Sequence, residues 1–89
     1  MDAFVFKNDN NRLYFKNYER VSPEEELKNV VDILKKKKCK IGAKHETPLD
    51  DLYDCEINGE PFTIVRTEEE TFLYAEDSNT IQELLKVFE

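Results

Sequence analysis

Apolar residues along this chain fall into short blocks with two different periods, and the switches between periods predict its elements. Phe4 and Phe6 flank Val5, so a strand here sets both rings on one face and the valine on the other. Asn8-Asp9-Asn10-Asn11 follows, a run of residue types that tolerate left-handed backbone and bond to their own main chain. Leu13 to Tyr18 then resumes the alternation with Leu13 and Phe15 inward, so the opening of the chain reads as a hairpin.

The period then lengthens. Leu27, Val30, Val31 and Leu34 recur at helical spacing and make one apolar stripe. Ser22, Pro23 and Glu25 form the start signal: a capping hydroxyl, a residue suited to the first helical position, and the acid of a capping box. Glu24, Glu25 and Glu26 suit the positive end of the helix dipole, and Lys35 to Lys38 suit the negative end.

Alternation returns with Cys39, Ile41 and Ala43 against Lys40, Gly42 and Lys44, a strand with one polar face. His45 to Asp51 contains Pro48 and little periodicity, which predicts a loop. Asn58-Gly59 is a pair suited to a two-residue turn of positive φ, and such a turn sets Cys55 opposite Phe62 and Tyr53 opposite Ile64. All four then share a face, as a hairpin with one buried side requires. Pro61 lacks an N–H, so its strand is expected at an edge or to begin a little later. Thr67 to Glu70 predicts a turn, Thr71 to Ala75 a strand with Phe72 and Tyr74 on one face, and Asp77-Ser78-Asn79 the cap of a final helix carrying Ile81, Leu84, Leu85 and Phe88. The order is ββαββββα. Short turns between successive strands imply an α+β fold, one two-layer domain over residues 1–89 with a mainly antiparallel sheet and both helices packed on it.

Composition agrees with a folded chain. Hydrophobic residues make up 39% of the 89, enough for one core, and they are periodic although 37% of the chain is charged. No apolar run approaches the roughly 18 residues that cross a bilayer. The start has an early acid, Asp2, and only a short apolar stretch, unlike a secretory signal. With only two cysteines, Cys39 and Cys55, the expectation is a cytoplasmic protein without membrane association.

Catalytic and metal-binding patterns are weak. His45-Glu46 lacks the second histidine of a zinc helix, because Thr47-Pro48-Leu49 follows. Cys39 and Cys55 fall at inward strand positions, where a buried structural thiol is the ordinary reading and a Cys-His nucleophile the rarer one. Asp50, Asp51 and Asp54 do not follow the calcium-loop pattern, and Gly42 and Gly59 are too few for a phosphate cradle. We therefore expect no cofactor, no metal and no catalytic site.

Charge is the informative feature. Lys35, Lys36, Lys37, Lys38, Lys40 and Lys44 occur with no acid among them, whereas every charged residue from Glu46 to Asp77 except Arg66 is a carboxylate. The net charge is −7. Segregated charge steers an oppositely charged partner. The expected partner-binding surface comprises Asp50, Asp51, Asp54, Glu56, Glu68, Glu69, Glu70, Glu76 and Asp77, and it is a single patch only if the segments carrying them meet in one region. Tyr53, Phe72 and Tyr74 lie in the same stretch; they are either anchors of that surface or, the commoner fate of strand aromatics, sheet core. In size and charge the chain is similar to bacterial immunity proteins that neutralise toxic nucleases, although it carries no motif of a particular immunity family. The leading expectation is an immunity- or antitoxin-like inhibitor of a basic, nuclease-like protein. Alternatives are a nucleic-acid-binding module built on Lys35–Lys44, disfavoured by the negative net charge, and a regulatory or structural homodimer.

Overall fold

The computed structural model describes residues 1–17 and 19–89. Tyr18, which the alternation assigns to the end of the second strand, lies outside the described residues. The elements run β1 (Ala3–Phe6), β2 (Asp9–Phe15), α1 (Pro23–Lys36), β3 (Lys40–Glu46), β4 (Asp51–Ile57), β5 (Glu60–Arg66), β6 (Thr71–Tyr74) and α2 (Ser78–Val87). They form an α+β domain of two layers in the expected order. The strands make one six-stranded sheet in the order β1-β2-β6-β5-β4-β3, and every neighbouring pair is antiparallel.

Local chemistry explains the elements. Ser22 caps α1, its Oγ accepting from Glu25 N at 3.2 Å, with Pro23 in the first turn. Asp77 caps α2 by accepting from Asn79 N at 2.9 Å. Asn58 and Gly59 both have positive φ, 51° and 81°, and the β4–β5 hairpin has the expected register, Ile57 opposite Glu60, Cys55 opposite Phe62 and Tyr53 opposite Ile64. β5 is central, not an edge. Pro61 is tolerated because it sits opposite Glu56, where the alternation of a two-residue hairpin turns its nitrogen away from β4 and beyond the end of β6.

Leu13, Val30, Leu34, Ile64, Leu73, Ile81 and Leu84 are completely buried, with Phe15 packed edge-on against Phe88 at 4.8 Å. The core lies between one face of the sheet and the two helices. α1 crosses above β6, β5 and β3, and α2 lies on β2 and β5. Cys39 and Cys55 are buried free thiols in this core.

Four further expectations change. First, the opening turn is shorter than the Asn8–Asn11 run, since β2 already begins at Asp9 and the pairing is irregular between Phe4 and Phe6. Second, His45 and Glu46 belong to β3 rather than to a loop. Third, the alternation of β3 is broken by a bulge between Ile41 and Lys44, so Lys44 pairs with Tyr53 and His45 with Leu52. An extra residue reverses the facing of everything after it. Gly42 makes the bulge possible, because a Cβ there would stand 2.5 Å from the Asp54 carbonyl oxygen. Fourth, the core side of β6 is Thr71 and Leu73, continued by Ala75, all buried. Phe72 and Tyr74 therefore occupy the opposite face, away from the helices, and only Tyr53 of the three aromatics packs against the core.

Candidate functional site

Strand direction decides where the acids go. The chain enters β4 and β6, and leaves β3 and β5, at one end of the sheet. The two turns at that end are built alike. In Thr47-Pro48-Leu49-Asp50, the Thr47 N–H donates to Asp50 O at 2.8 Å and the Thr47 hydroxyl oxygen accepts from Asp50 N at 2.9 Å. In Thr67-Glu68-Glu69-Glu70, Thr67 N–H donates to Glu70 O at 2.8 Å and its hydroxyl oxygen accepts from Glu69 N and Glu70 N. Each threonine hydroxyl satisfies backbone donors that the turn would otherwise leave to water. The result is two rigid, adjacent turns presenting Asp50, Glu68, Glu69 and Glu70.

The helix layer adds to this end. Thr71 N donates to the Glu26 carboxylate at 2.6 Å, and the Thr71 hydroxyl donates to Pro23 O at 3.4 Å. These bonds pin the first turn of α1 beside the β5–β6 turn, which brings Glu24 and Glu25 to the same end. Sequence reasoning missed both, because an acidic first turn is fully accounted for by the helix dipole. Glu26 itself is only 2% exposed, and burial holds its carboxyl above the ordinary range despite the Thr71 N–H, with the nearby Glu70 charge adding to the effect.

Not every predicted residue is available there. Asp51 faces the helix layer, where it accepts from Arg66 Nε at 2.9 Å and also from Arg66 Nη2, with Lys44 Nζ at 3.9 Å. The Arg66 guanidinium is held above its ordinary value chiefly by its hydrogen bond to Asp51. Asp51 is therefore an internal ion-pair partner. Lys44 also reaches Glu46 at 3.1 Å. Glu24, Glu25, Asp50, Glu68, Glu69 and Glu70 make no salt bridge among the described residues.

Asp54 and Glu56 point from β4 to the face away from the helices, where Asp54 meets His45 Nε2 at 2.7 Å. Glu76 and Asp77 follow the far end of β6, at the opposite end of the sheet, and Asp77 is engaged in capping α2. The nine carboxylates thus occupy four settings, and the segments carrying them do not meet in one region. The lysines of the α1–β3 junction also lie at that opposite end, where Lys40 stands opposite Glu56 in the strand register.

The uncovered face carries the aromatics. Phe4, Phe6, Tyr14 and Phe72 pack with ring centroids 5.2 to 5.8 Å apart. Tyr74 lies beside them with the Arg12 guanidinium 5.8 Å above its ring. The thiols face the other way. Burial pushes Cys55 up to about 11 and Cys39 above its ordinary value, so both are protonated at neutral pH. His45, on the uncovered face, is separated from Cys55 by the sheet itself. Among the described residues no three His, Cys, Asp or Glu side chains converge as metal ligands. Among the described residues no helix is long and apolar enough to cross a membrane. Comparison of the chain with protein-family models, with curated proteins and with solved structures gives no match.

Proposed function

We propose that this chain is an acidic protein-binding module of the cytoplasm, an immunity- or antitoxin-like inhibitor that neutralises a basic, nuclease-like partner. The observation that carries this reading is the end of the sheet where Glu24, Glu25, Asp50, Glu68, Glu69 and Glu70 stand on two threonine-locked turns and a pinned helix start, with no salt bridge among the described residues. A nuclease holds phosphate in a positive field, and carboxylates fixed in advance can occupy that field without first being ordered. Turns locked by their own hydroxyls supply that preorganisation. Net charge of −7 adds long-range attraction to a cationic protein.

The test is capture from a lysate of the source cells with the tagged full chain, at low and high salt, followed by assay of any recovered nuclease with and without the chain. A basic nuclease inhibited by the chain is expected, with capture lost in the triple variant E68K/E69K/E70K and kept in E76K. Capture that ignores the triple reversal overturns the assignment to this end. Recovery of nucleic acid alone moves the activity to the lysines of the α1–β3 junction, and recovery of the chain's own copies alone identifies a homodimer.

A further inference from the structure

The sheet has a second candidate surface, and it is not acidic but aromatic. Registers place one residue from each strand in a row across the uncovered face: Phe4 opposite Tyr14, Phe72 opposite Val65, Val65 opposite Leu52, and Leu52 opposite His45. Tyr14 and Phe72 close the row, their rings 5.5 Å apart. Phe6 is 52% exposed, and Phe4, Tyr14, Phe72 and Tyr74 are half-buried, partly by one another. Antiparallel sheets with one free face ordinarily fill it with polar side chains, so a row with aromatic rings on β1, β2 and β6 continued by Val65 and Leu52 is a departure that needs a cause.

What the rings would hold follows from what already rests on them. Arg12 lies over the Tyr74 ring, and its Nη1 is bound by Asp9 at 3.0 Å. The fold thus contains one worked instance of a guanidinium laid on an aromatic face and held by a flanking carboxylate. Carboxylates also act on the Tyr14 ring. Tyr14 feels Asp9 and Glu70, whose charges add to burial in holding its hydroxyl above the ordinary value. Glu70 also belongs to the acidic end, so the two surfaces are continuous at that residue. A second copy of the chain fits this face poorly, since each copy carries −7 and would bring its own carboxylates against the other's.

We propose that the uncovered sheet face is the docking surface for an arginine-bearing segment of the basic partner, whose guanidinium groups stack on Phe4, Tyr14 and Phe72 while the acidic end takes the partner's remaining positive charge. This rests on the inhibitor reading above and adds the specificity which that reading lacks. Carboxylates alone attract lysine and arginine alike, whereas a planar guanidinium stacks on rings and an ammonium does so less well.

The experiment uses the full chain with two probes of equal charge, a nona-arginine and a nona-lysine peptide, titrated at low salt and followed by calorimetry and by the aromatic NMR resonances. The arginine peptide is expected to bind roughly two- to fivefold more tightly, to move the resonances of Phe4, Tyr14 and Phe72, and to lose that preference in F72T. Should F72T fail to fold, F4S, at the ring on the edge strand β1, serves in its place. Equal affinities with shifts confined to Glu68–Glu70 would overturn the aromatic docking surface and leave the inhibitor reading standing. Absence of binding by either peptide overturns both, and a dimer in sedimentation that broadens the same aromatic resonances assigns the face to a second copy.

Discussion

The two faces of the sheet are made by alternate residues of the same strands, yet they have opposite physical characters. On the covered face, Leu13, Ile64 and Leu73 are wholly buried beneath the helices. On the other, Tyr14, Val65 and Phe72, each adjacent in sequence to one of these, are half-exposed. Nothing in size or hydrophobicity alone ranks them this way, since Phe72 is larger than Leu73. The difference teaches that burial here follows from where the helices lie. The covered side of β6 is the slimmer one, Thr71, Leu73 and Ala75, and α1 lies against it.

Substitutions on the two faces should separate cleanly. L73A should cost about 2 to 5 kcal/mol, because it empties a fully enclosed site, while F72T beside it should cost less than about 1.5 kcal/mol. Urea unfolding of both variants measures the difference, and equal costs would mean that the uncovered face is structurally buried after all. G42A comes next. A methyl group 2.5 Å from the Asp54 carbonyl oxygen must push β3 from β4, at a cost of about 1 to 3 kcal/mol. Loss of the bulge would also turn His45 off the uncovered face, so the His45–Asp54 contact should vanish from NMR spectra.

Glu26 sharpens the comparison within the covered layer. Replacing it by leucine leaves the buried Thr71 N–H without an acceptor and should cost about 1 to 3 kcal/mol, whereas E26Q keeps an acceptor and should be nearly neutral or stabilising at pH 7. The sign with pH follows from the raised carboxyl. Between the ordinary carboxylate value of 4.5 and its raised folded value, the native state holds more protons than the unfolded one. The Glu26 contribution is therefore greatest at the acid side of that window and declines as pH rises through it. Chemical denaturation of the wild type and E26Q across pH 4 to 7 isolates this, since all other carboxylates are common to both; a gap between them that does not widen toward neutral pH would refute the assignment. The smallest effect is expected at Lys38, which ends α1 with φ of 63°. K38G should stabilise by up to about 1 kcal/mol in thermal melts, by relieving a left-handed conformation that only glycine adopts freely.

Much of the candidate site was legible in fragments. The acids of the two turns were visible, and the pattern named Asp50, Glu68, Glu69 and Glu70. Asp51 carries the same charge in the sequence and yet is consumed by Arg66, a partner fifteen positions away that only strand pairing brings near. Glu76 and Asp77 are equally acidic but follow the far end of β6. Glu24 and Glu25 join the acidic end through two hydrogen bonds from Thr71 to the first turn of α1, contacts that span more than forty residues.

By itself, the sequence determined the kinds and order of the elements. Periods of two and of three to four, the Ser22-Pro23 start, the Asn58-Gly59 turn and the Asp77 cap are local signals, each settled by the backbone within a few residues. Tertiary structure alone decided that β6 would insert between β2 and β5, which side of β6 the helices would cover, and that a bulge at Gly42 would reverse the facing of His45. Alternation divides a strand's residues into two sets. It does not by itself say which set is covered in β6, because that choice belongs to helices that lie far away in the chain.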